Sequence, residues 1–427
     1  MGRVVRLETS GSERRNGSGP AAQVRRRSTA RRPGRPSKTA LVLGGGGVTG
    51  AVYEIGALRA LDLLSVNRSV TDFDVYVGTS AGSLVAAMTA NGITPEEMMR
   101  VVNRQVPTPF PDVDLKTVLA LNVRELVGSA LSFPFRAAKL TGRLLGQLGQ
   151  VSALDVVLGL AEGMPSGLYS GGGIESYVRA VLDGEGRSDD FRELTHELYL
   201  TATDLDTAER VVFGQPGFDD VPISTAVRAS TALPMVYKPV RIGDRELVDG
   251  GIVSTTNLDI AVEAGARLLI VVNPLVPYVN DVNDPEAPGR KRISDMGFPQ
   301  VGYQTFKLIA HNRLHEMKRQ WEQRYPGVDI VLIEPDPSDE LMFRTSVMDY
   351  RSRVSIARHG FRSVTQKLSA DYPRLRRVAA RHGIEISATR VNKVVKHFAT
   401  AEPAETARWR AILEQTRSTL LRQSASD

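Results

Sequence analysis

The chain has 427 residues, a net charge of +6 and no cysteine. This length allows one large domain with appendages. The missing cysteines exclude disulfides, thiolate metal sites and a cysteine nucleophile. No apolar run approaches the roughly 20 residues that a membrane-spanning helix needs, and the start lacks the pattern of a secretory signal. We therefore expect a cytoplasmic protein, free or peripheral at the membrane.

The positive charge is concentrated at the start of the chain. Residues 1–38 contain ten Arg and one Lys against two acidic residues, so the remaining chain is slightly acidic. We therefore do not expect nucleic acid as a partner. Because so charged a segment cannot bury a core, we predict that residues 1–38 form a disordered basic tail. Anionic lipid would attract such a tail by up to roughly 1 kcal/mol per basic residue.

From Thr39 onward, short apolar runs alternate with helical patterns. The first two strands are predicted at residues 40–43 and 74–77, and the helices that follow them at 52–64 and 83–91. Strand–helix–strand–helix at this spacing predicts a mostly parallel sheet with helices on both faces. Further strands are predicted at residues 197–202, 210–213, 268–272 and 329–333. Further helices are predicted at residues 301–321 and 350–368.

Two regions depart from this alternation. Residues from about 105 to 165 have a helical composition interrupted by prolines and glycines, and we predict a helical insert there. Residues 370–427 are predicted as a C-terminal helical extension with one short strand at 384–386. An α/β domain at 39–369 remains between the tail and this extension.

The segment Gly78-Thr79-Ser80-Ala81-Gly82 lies between a predicted strand and a predicted helix. A serine at such a turn projects its hydroxyl outward, and the flanking glycines leave room for the turn. The start of the helix also presents backbone N–H groups to a developing negative charge. Ser80 is therefore the candidate nucleophile, and a purely structural turn is the alternative.

A glycine-rich loop, Gly44-Gly45-Gly46-Gly47-Val48-Thr49-Gly50, follows the first predicted strand. Its G-x-G-x-x-G spacing also occurs in dinucleotide-binding loops, but those need an acidic residue at the end of the next strand. Here the next strand ends at Ser80. The backbone N–H groups of this loop are instead suited to an oxyanion hole beside the nucleophile. Nucleotide binding is therefore the last of the alternatives.

A serine nucleophile needs a base, which is a histidine in the common triad. The chain contains six histidines: His196, His311, His315, His359, His382 and His397. None lies clearly on a short loop after a predicted strand. His311 and His315 have the i, i+4 spacing of a metal pair, but the glutamate of a zinc-protease motif is missing between them. We predict no metal site and no cofactor.

Asp249 is the candidate base. It follows the apolar pair Leu247-Val248 and precedes Gly250 and Gly251, which permit a close approach of the backbone. A carboxylate bonded directly to a serine can accept its proton during attack and return it to the leaving group. An ordinary pKa leaves this carboxylate ionised at neutral pH. A plain turn aspartate is the alternative.

Three segments together resemble the patatin-like phospholipases: residues 45–50, 78–82 and 249–251, in the order of that family. The resemblance covers roughly residues 40–275. It is extended by residues 202–205 and 228–234 and by Asn257. The sequence departs from the family pattern at Thr49, where a basic residue is frequent. A positive charge that could stabilise the oxyanion or an anionic head group is therefore missing at this position.

The resemblance implies a three-layer α/β/α fold without a metal. It also implies that Ser80 is the nucleophile and Asp249 the base, while the amides of Gly45, Gly46 and Gly47 form the oxyanion hole. The remaining motif glycines are Gly50, Gly78, Gly82, Gly250 and Gly251. The expected reaction is hydrolysis of carboxylic esters of lipids through an acyl-serine intermediate.

Two other functions use the same pocket: a lipid acyltransferase, in which an alcohol replaces water, and a catalytically inactive lipid-binding protein. A lipid or acyl ester is the expected partner. The tail at 1–38 and the insert at 123–150, which mixes apolar and basic residues, are candidates for peripheral membrane contact. A pair of ordinary core-facing helices is the alternative for the insert. The lipid and the oligomeric state are not predicted.

Overall fold

The computed structural model describes residues 4–6, 37–103, 110–111, 120–122, 165–283, 291–345 and 349–396. Its strands are β1 (Val4–Arg6), β2 (Thr39–Leu43), β3 (Val75–Thr79), β4 (Gly167–Tyr169), β5 (Glu197–Asp204), β6 (Arg210–Phe213), β7 (Met235–Tyr237), β8 (Val240–Ile242), β9 (Arg245–Asp249), β10 (Leu268–Val272) and β11 (Asp329–Ile333). Nine of them form one sheet in the order β1-β11-β10-β2-β3-β5-β9-β8, with β6 also paired to β5. Strands β4 and β7 form a separate pair.

Helices cover both faces of this sheet. They are α1 (Gly47–Leu64), α2 (Ala81–Ala90), α3 (Pro95–Val102), α4 (Gly172–Leu182), α5 (Ile223–Ser230), α6 (Leu258–Glu263), α7 (Phe298–Arg319), α8 (Trp321–Arg324), α9 (Glu340–Arg344), α10 (Arg353–Ala370) and α11 (Tyr372–Arg381). Residues 388–396 are also helical. Among the described residues, no helix combines the length and the apolar composition needed to cross a bilayer.

The alternating side chains of β2 show the three layers. Leu41 and Leu43 belong to the larger hydrophobic cluster, together with residues of α1, α2 and α10. Ala40 and Val42 belong to a second cluster, together with residues of α6 and α8. Because successive residues of a strand point to opposite faces, each face of the sheet buries its own set of helices. The predicted α/β/α fold with a mostly parallel sheet is confirmed.

Strand β5 brings the ends of two distant strands together. One of its edges pairs with β6. The other edge pairs first with β3, up to Thr79 opposite Thr201, and then with the antiparallel β9, whose Asp249 lies opposite Ala202. The carboxyl ends of β3 and β9 therefore meet head to head on one edge of β5. The residues that follow these strands are neighbours although they are far apart in the sequence.

The prediction of a disordered tail is wrong at Val4–Arg6, which form β1 and pair in parallel with β11. The physical reason is that β11 offers a free edge, and two β-branched valines favour a strand. Residues 7–36, the insert at 123–150 and everything after residue 396 lie outside the described residues. The strand predicted at 384–386 is a single bridge from Ile386 to Ser65. The proposed domain division stays a prediction.

Candidate active site

Ser80 lies at a sharp turn between β3 and α2. Its backbone has φ 54° and ψ −124°, and a positive φ is uncommon for a residue other than glycine. A Cβ atom on Gly82 would lie 2.4 Å from the Leu43 carbonyl oxygen, and one on Gly78 would lie 2.6 Å from the Ser83 Cα atom. Only glycine fits at either position, which explains the two glycines that flank the turn.

Ser80 and Asp249 are in direct contact. The Ser80 hydroxyl donates a hydrogen bond of 2.5 Å to Asp249 Oδ2. The Gly251 N–H donates to the other carboxylate oxygen, Oδ1, at 2.7 Å. Both side chains are buried, with 8% of Ser80 and 3% of Asp249 exposed. The structure thus brings together the two side chains that the sequence singled out, with the hydroxyl already aligned on a proton acceptor.

Burial changes the acidity of this carboxyl group. Desolvation raises the pKa of Asp249 to about 6, although the hydrogen bonds from Ser80 and Gly251 oppose the shift. The sequence-based expectation of an ordinary pKa is therefore wrong. At neutral pH the carboxylate is still mostly ionised, and with the higher pKa it is a stronger base towards the serine hydroxyl.

The glycine-rich loop passes beside Ser80. A Cβ atom on Gly45 would lie 3.3 Å from the Ser80 Cβ atom. The Gly45 N–H, however, donates to the Thr255 carbonyl at 3.1 Å. In this conformation the Gly45 N–H is therefore not free to donate to an oxyanion. The expectation that Gly45 contributes to the oxyanion hole needs correction. Within the described part of the chain, no acceptor faces the amides of Gly46 and Gly47.

Thr49 occupies the position where the sequence departs from the family pattern. Its side chain is buried, with 3% exposed, and its hydroxyl donates to the Gly46 carbonyl at 3.3 Å. The Gly50 N–H donates to the same carbonyl at 2.9 Å. With its carbonyl bonded to the first turn of α1, Gly46 has a restrained peptide orientation.

Polar side chains next to Ser80 link the end of β3 to β5. Asn257 donates through Nδ2 to Thr79 Oγ1 at 2.8 Å and to Thr201 Oγ1 at 3.2 Å. Its Oδ1 accepts from Arg210 at 2.9 Å, and Arg210 also pairs with Asp259. Asn257 thus bonds to β3 and β5 at the point where β3 ends.

Ser230, at the end of α5, is a contact that sequence reasoning missed. Its hydroxyl accepts a hydrogen bond of 2.9 Å from the Ser80 N–H and is fully buried. This bond holds the peptide of the strained turn. The only signal in the sequence was the stretch 228–234, which carried the family resemblance without a role for any residue in it.

No described histidine contacts Ser80 or Asp249. His359 bonds to Asp339, His382 bonds to Asp329, and His196 packs against Tyr76. His311 and His315 face Glu334. His397 lies outside the described residues. Within the described part of the chain, the group that accepts from the Ser80 hydroxyl is therefore the Asp249 carboxylate and not an imidazole.

A small apolar cavity lies beside the turn that follows Asp249. It has a volume of about 180 Å³ and separates residues 251–256 from α7. Its lining includes Ile252, Phe306, Ala310 and Leu314. The site therefore combines a buried serine–carboxylate pair with apolar space next to the turn that follows Asp249.

The chain is similar to a family model and to several solved structures. Residues 41–262 match the family model described as patatin-like phospholipase. Similar solved structures include VipD from Legionella pneumophila, at 14% identity and a TM-score of 0.35, covering 79% of this chain and 67% of that one. ExoU from Pseudomonas aeruginosa, in complex with SpcU, has 16% identity, a TM-score of 0.30 and coverages of 87% and 62%.

Human GIVD cytosolic phospholipase A2 is a further similar structure, at 11% identity and a TM-score of 0.33, with coverages of 81% and 60%. The chain thus spans 60 to 67% of the length of these three proteins. Because all three TM-scores lie below 0.5, the assignment rests on the family match, which covers more than half of the chain. The chain belongs to the family of patatin-like phospholipases, which are lipid ester hydrolases.

Proposed function

We propose that this chain hydrolyses carboxylic esters of lipids with Ser80 as the nucleophile and Asp249 as the base, through an acyl-serine intermediate. The observation that carries the proposal is the 2.5 Å hydrogen bond from the Ser80 hydroxyl to the Asp249 carboxylate. Both groups are buried, and hydrogen bonds to charged groups strengthen where water is excluded.

In the first step, Ser80 Oγ attacks the ester carbonyl carbon and Asp249 Oδ2 takes the hydroxyl proton. The amides of Gly46 and Gly47 are the proposed donors to the oxyanion, since no described residue accepts from either. As the intermediate collapses, Asp249 returns the proton to the departing alcohol. A water molecule then attacks the acyl-serine while Asp249 accepts a proton from it. As this second intermediate collapses, Asp249 passes the proton to Ser80 Oγ, which releases the fatty acid and restores the Ser80 hydroxyl and the Asp249 carboxylate.

The substrate follows from the surroundings of the dyad. The cavity beside Gly251 supplies apolar space for part of an acyl chain. Helix α7 also exposes large apolar side chains: Ile309, which lines the cavity, is 65% exposed, and Phe298, at the start of the helix, is 89% exposed. Exposed apolar groups around a site suit contact with a lipid surface. We therefore propose an aggregated lipid ester as substrate, reached from this side. The tail and the insert remain candidates for further membrane contact.

The pH dependence of the reaction tests the raised pKa of Asp249. The carboxylate is the active form, so protonation removes the base. With a pKa of about 6, kcat/KM is expected to reach half its plateau near pH 6 and to fall about tenfold per pH unit below it. The measurement is kcat/KM for a p-nitrophenyl ester, read at the isosbestic wavelength of the product. A plateau that extends below about pH 5 would contradict the assignment of Asp249 as a buried base.

The dyad itself is tested with a fluorophosphonate and intact mass spectrometry. The wild-type chain is expected to gain the mass of one adduct, because the activated Ser80 hydroxyl attacks the phosphorus atom. Ser80→Ala is expected to gain none. The matched control is Ser254→Ala, which removes a hydroxyl that bonds to Thr256 rather than to the dyad, and it is expected to label like the wild type. An adduct on folded Ser80→Ala would refute the assignment of the nucleophile.

A further inference from the structure

The side of helix α7 that faces the body of the protein carries four polar residues. Gln304 and Lys307 are buried, and the imidazoles of His311 and His315, one and two turns after Lys307, are only 19% and 17% exposed. Polar groups at such positions cost free energy unless bonds compensate for them. Gln304 makes two hydrogen bonds with the main chain of Tyr278. The two imidazoles instead face a buried carboxylate, that of Glu334.

Glu334 follows β11 directly and meets both histidines. Its side chain is 2% exposed. His315 Nε2 lies 3.5 Å from Glu334 Oε2, and His311 Nδ1 lies 4.0 Å from Glu334 Oε1. One ligand atom from each of the three residues lies within 4.8 Å of the other two. Two imidazole nitrogens and a carboxylate thus converge on one point from a helix and a strand end.

The distances from the two histidines to Glu334 fit a shared metal ion better than direct hydrogen bonds. A hydrogen bond between nitrogen and oxygen is about 2.7–3.2 Å long, so both distances are too long for one. Two ligand atoms that each lie about 2.0–2.1 Å from one tetrahedral zinc ion are about 3.4 Å apart. The 3.5 Å pair has this spacing. The 4.0 Å pair, which ends on the other carboxylate oxygen, is somewhat wider.

The surroundings orient the carboxylate. Asn273, which follows the neighbouring strand β10, donates through Nδ2 to Glu334 Oε1 at 2.9 Å. Lys367 donates to the main-chain carbonyl of Glu334 at 2.7 Å. Oε2 is thus directed at His315. Outer hydrogen bonds of this kind hold a ligating carboxylate in position.

We propose that His311, His315 and Glu334 form a zinc site that links α7 to the carboxyl end of the sheet, contrary to the prediction of no metal site from the sequence. Two histidines and a glutamate are a ligand set that zinc uses with the fourth position open. The same helix carries Phe306 and Ala310 in the wall of the cavity beside Gly251. A bound ion therefore holds that wall in place, at a distance from the Ser80–Asp249 pair.

The test is zinc binding by the full chain without a histidine tag. After treatment with a chelator and its removal, the protein is titrated with zinc against a chromophoric competitor. One equivalent is expected to bind below micromolar concentration and to raise the melting temperature by at least about 2 °C at a hundredfold excess over Kd. Cobalt in the same site is expected to give the visible absorption of a four- or five-coordinate ion.

Variants assign the ligands. His315→Ala and Glu334→Gln are each expected to weaken zinc binding at least 100-fold. His196→Ala is the matched control, since it removes an imidazole that packs on Tyr76, and it is expected to bind like the wild type. Wild-type protein that takes up no tight equivalent, or ligand variants that keep it, would overturn the site. The wild-type titration decides the question even if a variant fails to fold.

Discussion

Asp249→Asn is expected to lower kcat/KM for ester hydrolysis by about 10⁴-fold or more, in the range seen when a general base is removed from a serine hydrolase. An amide of the same shape can still accept the Gly251 N–H at its oxygen, but it cannot take the proton of the Ser80 hydroxyl. The measurement is kcat/KM for a soluble ester, together with the melting temperature of each protein.

Stability separates this loss from a damaged fold. Burial raises the pKa of Asp249 from 3.8 to about 6. At pH 7 the ionised group therefore opposes folding by about 3 kcal/mol, and this cost disappears below the ordinary pKa. The asparagine variant is expected to melt at or above the wild-type temperature at pH 7. Asp206→Asn, at an exposed position, is the isosteric control and should change activity less than twofold. More than 1% residual activity in Asp249→Asn would exclude Asp249 as the base.

The buried strands were predictable because their signal is local. Residues 268–272 and 330–333 are runs of aliphatic residues, and the structure has β10 at 268–272 and β11 at 329–333, as predicted. A strand buried on both faces needs such a run whatever the rest of the fold does. The glycines around Ser80 were predictable for a similar reason, since the turn leaves no room for a Cβ atom.

The contacts that complete the site were not predictable in this way. Ser230 reaches the Ser80 amide only because α5 packs beside β5 and β9. Glu334 meets His311 and His315 because β11 ends next to the middle of α7, and no spacing between the three residues shows it. The pKa of Asp249 depends on desolvation by every element packed around it. Each of these features arises from tertiary packing.

The second large effect is expected from a substitution in the glycine-rich loop, at Gly46. Gly46→Ala is expected to lower kcat by about 100- to 1000-fold, the cost of losing one oxyanion donor. A Cβ atom on Gly46 would lie 2.8 Å from the Gly50 Cα atom and 2.9 Å from the Pro274 Cγ atom. Contacts this short force the backbone at Gly46 to shift, which displaces the proposed oxyanion donors.

The loss should appear in kcat with little change in KM, because the oxyanion exists in the transition state and not in the bound ester. Asp249 is untouched, so the acid limb of the pH profile should stay near pH 6. Gly302→Ala, where the added methyl meets open space on α7, is the control and should keep full activity. If Gly46→Ala lowers kcat less than about tenfold with its fold intact, the amides of this loop are not the donors and the oxyanion is bound elsewhere.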